Sequence, residues 1–265
     1  MASMERGPTD GPIETHEMAR LSAGPTRYLL RRSFRALGLR MTIDPRDGLL
    51  VTMPTPDRRG WANPDGRVDR FLGEHEGWIV RQLGRFERQR AEVAALGGMR
   101  DGGRVHYRGE IHRIRVGEPA DPIQPTSVER VGGDAEDELV IRPTIRERRP
   151  IGLILEAWFR ERAAEAIDVE VARHAPALGV TPASVVLRDP ATRWGSASRK
   201  GRLMFSWRLV LAPPASLETV VVHELAHLRI PGHGPDFWSL VAGRRNDHRA
   251  DRAWLRRHSH LLHYR

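Results

Sequence analysis

Cysteine is absent from this chain of 265 residues, which excludes disulfides, thiolate nucleophiles and every metal site with a cysteine ligand. Long apolar runs are also missing, so the sequence predicts no membrane-spanning helix. The first 24 residues lack the apolar core of a secretory signal. These absences predict a cytoplasmic protein that makes no membrane contact and whose metal ligands, if any, are histidines and carboxylates.

Lysine is nearly absent as well, since Lys200 is the one lysine among 43 basic residues. The formal net charge is +9, and residues 25–117 hold 19 basic and 11 acidic side chains. A solvated arginine-rich surface explains this excess, and a footprint for nucleic acid is the alternative. Nucleic acid is therefore a candidate partner through the basic N-terminal lobe, although no DNA-binding motif accompanies it.

The pattern along the chain predicts an α+β fold. Residues 1–24 are rich in glycine, proline and charge, so we predict a disordered tail. Residues 25–117 show two hairpin patterns around a long helical pattern at 68–96, which predicts an N-terminal lobe of antiparallel hairpins with one long helix. Residues 118–138 hold seven acids and one arginine and are interpreted as an acidic insertion.

Residues 139–265 are predicted to form a second lobe, in which helices surround a short sheet. Ser216 is the expected N-cap of its central helix. The predicted elements are helices at 151–174, 216–228, 235–244 and 248–262, and strands at 184–187, 192–198 and 202–207.

The central helix carries a His-Glu-x-x-His motif. His223 and His227 are four residues apart, so on a helix both rings lie on one face and can reach one cation. Glu224 follows the first histidine, where its carboxylate can reach a metal-bound water. Pro231 and Gly232 break the helix, so the chain can fold His233 back as a third ligand. The motif predicts a zinc site in which Glu224 activates the water that attacks a peptide carbonyl.

A closed structural zinc in a non-catalytic module is the alternative to this catalytic site. It would require a fourth protein ligand and would not require Glu224. The spacing of the three histidines is compatible with both.

Several motifs together resemble the YgjP-like metallopeptidase family, which is related to the SprT and Spartan zinc proteases. That family has R-W-G-S-C-S, W-R-L-x-x-A-P, V-V-H-E-L-x-H-L and N-H-S-x-x-F-W signatures. The matching stretches here are RWGSAS at 193–198, WRLVLAPP at 207–214, VVHELAHL at 221–228 and HGPDFW at 233–238. The resemblance extends upstream to 28–33 and 78–79 and predicts one domain over 25–265. Ala197 stands where the family has cysteine, so that cysteine has no role here.

The resemblance implies a zincin-like C-terminal lobe, with His223, His227 and His233 as zinc ligands and Glu224 as the catalytic acid and base. It implies a protease that acts on protein or peptide substrates. Its Spartan relatives suggest an alternative, a protease that acts on DNA-bound proteins.

Arg193 and Trp194 lie just before the motif helix, on a predicted strand. One interpretation is substrate binding, either by strand pairing or by contact of Arg193 with the oxyanion. The other is structural, with Trp194 packed under the helix and Arg193 capping carbonyls.

Overall fold

The computed structural model describes residues 13–22, 24–44, 48–61, 65–118, 124–133 and 136–263. The chain forms two compact units, residues 1–91 and 92–265. The fold is a mixed α+β fold, β-rich in its N-terminal part and mainly helical in its C-terminal part, as the sequence predicts. In the described part of the chain, no helix has the length and apolar character needed to cross a bilayer.

The first unit contains a four-stranded sheet in the order β1-β2-β4-β3. Its strands are β1 Ile13–Leu21, β2 Gly24–Arg32, β3 Arg40–Asp44 and β4 Gly48–Met53. The sequence predicts antiparallel hairpins here. In the structure β2 and β4 pair in parallel, so the sheet is not made of antiparallel hairpins alone. Burial of Leu49, Val51 and Met53 on β4 anchors the sheet to its core.

Strand β1 corrects the prediction of a disordered tail at 1–24. It pairs with β2 along its whole length, from Ile13 opposite Arg32 to Leu21 opposite Gly24. Most of its side chains are exposed. Backbone pairing therefore holds this strand, and a prediction based on side-chain hydrophobicity misses it. Residues 1–12 of the predicted tail lie outside the described residues.

The predicted long helix is divided into α1 Asp65–Glu74 and α2 Glu76–Ala95. The carbonyl of Phe71, which an unbroken helix would pair with the amide of His75, contacts the Nδ1 atom of that histidine at 2.9 Å. The amide of His75 instead donates to Leu72, at 3.3 Å. Side-chain competition for a helix carbonyl thus marks the break.

The second unit begins with a sheet in the order β5-β6-β8-β7. Its strands are β5 Arg104–Tyr107, β6 Glu110–Val116, β7 Ser127–Val131 and β8 Asp137–Arg142. The hairpin β5–β6 therefore belongs with the second unit, not with the N-terminal lobe predicted at 25–117.

The acidic segment 118–138 is not simply an insertion, because it supplies β7 and the start of β8. Its acids face arginines on neighbouring strands, as in the ion pair between Glu138 and Arg115 at 2.7 Å and the pair between Glu129 and Arg142. Cross-strand pairing of opposite charges explains why an acidic sequence fits this sheet.

The described remainder of the second unit places a three-stranded sheet among four α-helices and a 3-10 helix, Trp207–Leu211. The elements are α3 Ile151–Leu178, β9 Ser184–Arg188, β10 Gly195–Ala197, β11 Arg202–Ser206, α4 Pro214–His227, α5 Pro235–Ala242 and α6 His248–Leu262. The sheet order is β10-β11-β9, so β10 is an edge strand beside α4. The N-cap of α4 is Pro213, not Ser216, which is buried and donates to the carbonyl of Asp251 at 3.4 Å.

Candidate metal centre

Two of the predicted ligands are fixed by the packing of α4. Val221, Val222 and Leu225 are completely buried, which sets the rotation of the helix. His223 and His227, half-buried and four residues apart, are then directed to the same side.

The third histidine returns to this side because the helix ends abruptly. Pro231 cannot continue the helical hydrogen bonds. Gly232 follows with a φ of 95°, in the region that favours glycine. His233 is placed between this turn and α5, and its imidazole is exposed.

The three imidazoles converge with their Nε2 atoms closest together. The Nε2 atom of His227 lies 3.2 Å from that of His223 and 3.2 Å from that of His233, and the remaining pair is 3.1 Å apart. Nitrogens at about 2.0–2.1 Å from a tetrahedral zinc ion would be about 3.3–3.4 Å apart. The spacing of the nitrogens therefore fits a metal of that size.

The protonation of the rings also fits a metal. The Nδ1 atom of His227 lies 3.2 Å from the carbonyl of Ile230, so Nδ1–H is the donor and Nε2 keeps its lone pair. Burial, followed by the neighbouring His227 and His233, lowers the pKa of His223 to about 3. Burial also lowers the pKa of His227. Neutral imidazoles are the form that binds metals.

Phe237 forms a platform for all three imidazoles. It is completely buried on α5, and its ring centroid lies 4.9 Å from that of His223, 4.4 Å from that of His227 and 4.9 Å from that of His233. Such contacts restrict ring rotation, so the ligand directions depend on this packing.

Glu224 lies beside the histidine group in a different environment. It is 6% exposed, and burial raises the pKa of its carboxyl to about 7, an effect that the charge of Arg193 partly opposes. Gly195 on β10 makes room for this side chain, because a Cβ there would lie 2.7 Å from its Cγ atom. The motif helix and the edge strand thus hold the carboxylate between them.

Arg193 and Trp194 directly precede β10 and do not lie on a strand, contrary to the prediction from the sequence. Arg193 is exposed, and its charge acts on Glu224. Trp194 is half-buried, its carbonyl accepts from Ser206 at 2.8 Å, and its ring lies 4.6 Å from that of His263. These contacts are not with the motif helix, and substrate binding by Arg193 and Trp194 stays a prediction.

Among the described residues, two other groups of histidines and acids lie close enough for a metal, but arginines contact the histidine of each group. In the group of Glu110, His112 and Asp137, Arg130 donates to the Nε2 atom of the histidine at 2.9 Å. The second group is Glu170, His174 and Glu218. Here Arg244 contacts Nδ1 of the histidine at 3.3 Å, so Nε2 carries the proton and points to Glu218 at 2.9 Å. Both are ion-pair networks.

The contacts that α6 makes with Trp238 could not be predicted from the sequence. His248 on this helix is 5% exposed and stacks on Trp238, with 5.3 Å between the ring centroids. Arg252, one turn later, lies over the same indole. The spacing of four residues between His248 and Arg252 indicates that both lie on one face of the helix. Nothing in the sequence shows which part of the protein this face contacts.

Three convergent imidazoles beside a buried carboxylate are the groups that metal-dependent hydrolases use. The family model of the YgjP-like metallopeptidase domain matches residues 38–258, and the chain belongs to this family. This confirms the resemblance seen in the sequence motifs and supports a metallopeptidase function. Comparisons with curated proteins and with solved structures gave no match.

Proposed function

We propose that this protein is a zinc-dependent metallopeptidase, with His223, His227 and His233 as zinc ligands and Glu224 as the catalytic acid and base. The observation that carries the proposal is the triangle of Nε2 atoms, 3.1–3.2 Å on each side, next to a buried carboxylate. The metallopeptidase family of the chain supports it.

A bound zinc ion would supply Lewis acidity, which polarises a substrate carbonyl and makes a water more acidic. Glu224 accepts a proton from the attacking water and later donates it to the leaving amine. Gly195 and the edge strand keep this carboxylate in place during both transfers. Arg193, exposed beside Glu224, can contact the substrate carbonyl oxygen.

The number of ligands favours a catalytic site over a closed structural site. Within the described residues, the group contains three histidines and no fourth ligand close to all of them. Catalytic zinc sites use three protein ligands, whereas structural sites use four. We therefore favour hydrolysis of protein or peptide substrates, and no contact in the described residues favours the DNA-linked alternative.

The test combines metal analysis with hydrolysis of a casein or peptide library. The wild type should bind one zinc per chain and cleave peptide bonds, and a chelator should abolish cleavage. Glu224→Gln should keep zinc and lose about 10²-fold or more in rate. Glu161→Gln, a change of the same type on the exposed face of α3, is the matched control. Full activity of a zinc-loaded Glu224→Gln protein would contradict the proposal.

A further inference from the structure

Helix α6 presents two side chains to one indole. The ring of His248 stacks on Trp238, with 5.3 Å between centroids and 13° between planes. The guanidinium carbon of Arg252 lies 4.4 Å from the same centroid. The two residues are one turn apart, so one face of α6 contacts Trp238 through both side chains.

Trp238 in turn contacts two of the three convergent histidines. Its centroid lies 5.6 Å from that of His233, at 27° between planes, and 5.7 Å from that of His223. The path from guanidinium to imidazole through the indole is thus no longer than about three residues of extended chain, ~10 Å. Arg252 is therefore within reach of a peptide that lies across the histidine group.

The charge of Arg252 has no acidic partner within the described residues. Asp251, next to it on α6, accepts from Thr219 and forms an ion pair with Arg245 at 2.7 Å. Partial burial, followed by the nearby Arg256, lowers the pKa of Arg252. A partly desolvated cation without a counter-ion is unfavourable, and a bound anion would relieve that cost.

The position over the indole also leaves the guanidinium suited to binding. A guanidinium can stack on a ring with its flat face, which leaves the N–H groups along its edge for other partners. That edge matches the two oxygens of a carboxylate. Arg162 and Arg208 also lie over indole rings, but each of them is paired with an acid, Glu165 or Asp189.

We propose that Arg252 binds a carboxylate of the peptide substrate and so selects substrates with a negative charge within about three residues of the cleaved bond. This inference rests on the proposed peptidase function. The carboxylate can belong to an acidic side chain or to the C-terminus of the substrate, since both present the same two oxygens.

The first experiment measures hydrolysis of a peptide with glutamate at each of three positions on either side of the cleaved bond, against its glutamine counterparts. Each peptide is prepared with a free and with an amidated C-terminus, which separates the two sources of carboxylate. Arg252→Gln should raise KM about tenfold or more for carboxylate peptides and leave kcat nearly unchanged. Arg257→Gln, an exposed arginine on the same helix, is the matched control. Equal losses for carboxylate and neutral peptides would overturn the proposal.

A second experiment measures peptide binding to zinc-loaded Glu224→Gln by calorimetry, with and without Arg252→Gln. Carboxylate peptides should bind about tenfold more weakly when Arg252 is replaced, and Arg252→Lys should restore part of the difference. Equal binding with and without Arg252 overturns the inference. Absence of hydrolysis by the wild type contradicts the peptidase function alone, because the binding comparison still decides the role of Arg252.

Discussion

Gly195 lies directly against Glu224. A Cβ atom at Gly195 would be 2.7 Å from Cγ and 2.8 Å from Oε1 of this side chain, closer than non-bonded atoms approach. The contact joins the edge strand β10 to the motif helix α4. The glycine is thus explained by what faces it: the candidate acid and base occupies the space that any larger residue would need.

Gly195→Ala should therefore displace the carboxylate without altering its chemistry. Misplacement of a catalytic group by about 1 Å can cost about 10²-fold in rate. We expect a fall of that order in kcat, with zinc content unchanged. Gly73→Ala, where an added Cβ meets nothing within 4 Å, should leave kcat unaffected. Wild-type kcat in a zinc-loaded Gly195→Ala protein would show that the position of Glu224 is not critical.

Phe237→Leu should weaken metal binding, because this ring contacts all three imidazoles. Phe159→Leu is the matched control, because Phe159 on α3 is equally buried but packs against Trp207 in the core. Both variants should lose about 1–3 kcal/mol of stability. Chelator competition should show lower zinc affinity for Phe237→Leu alone, and equal affinities would argue against the platform.

The convergence of the histidines could be predicted because it depends on local rules. The helical repeat places His223 and His227 on one face, and Pro231 with Gly232 forces the turn before His233. Helix α6 was predicted at 248–262, where the structure has it.

The sequence could not reveal contacts between distant segments. Gly195 belongs to a family motif, but its closeness to Glu224 depends on how β10 packs on α4. Likewise Arg252 approaches Trp238 only because α6 folds back beside α4. Strand β1 could not be predicted for another reason, because backbone pairing holds it and its side chains are mostly exposed.

Asp189→Asn should be strongly destabilising. Arg208 is 4% exposed and forms a two-pronged pair with Asp189, at 2.6 and 3.0 Å, while also donating to the carbonyl of Leu262. Removal of the aspartate charge takes away an acidic partner of a buried cation, which costs about 3–5 kcal/mol. Glu165→Gln breaks an exposed pair with Arg162 and should cost about 0–1 kcal/mol. Urea unfolding compares the two, and equal losses would contradict the structural role of Asp189.

His106 should make the stability of the protein depend on pH. It is 5% exposed on β5, its Nδ1 atom has no hydrogen-bond partner among the described residues, and burial lowers its pKa to about 4. In the unfolded chain it should titrate near the ordinary value of about 6.5. Between these two values the unfolded state binds more protons. The contribution of His106 to the free energy of unfolding is therefore fully present above about pH 6.5 and is lost as the pH falls towards 4.

The free energy of unfolding of the metal-free protein should accordingly fall more steeply with decreasing pH in the wild type than in His106→Leu. The difference in slope should approach about 1.4 kcal/mol per pH unit within this window, the value for one proton. Other histidines with lowered pKa values, such as His223, contribute to both proteins and cancel in the comparison. Equal slopes, or an NMR titration of His106 near 6.5 in the folded protein, would contradict this account of its burial.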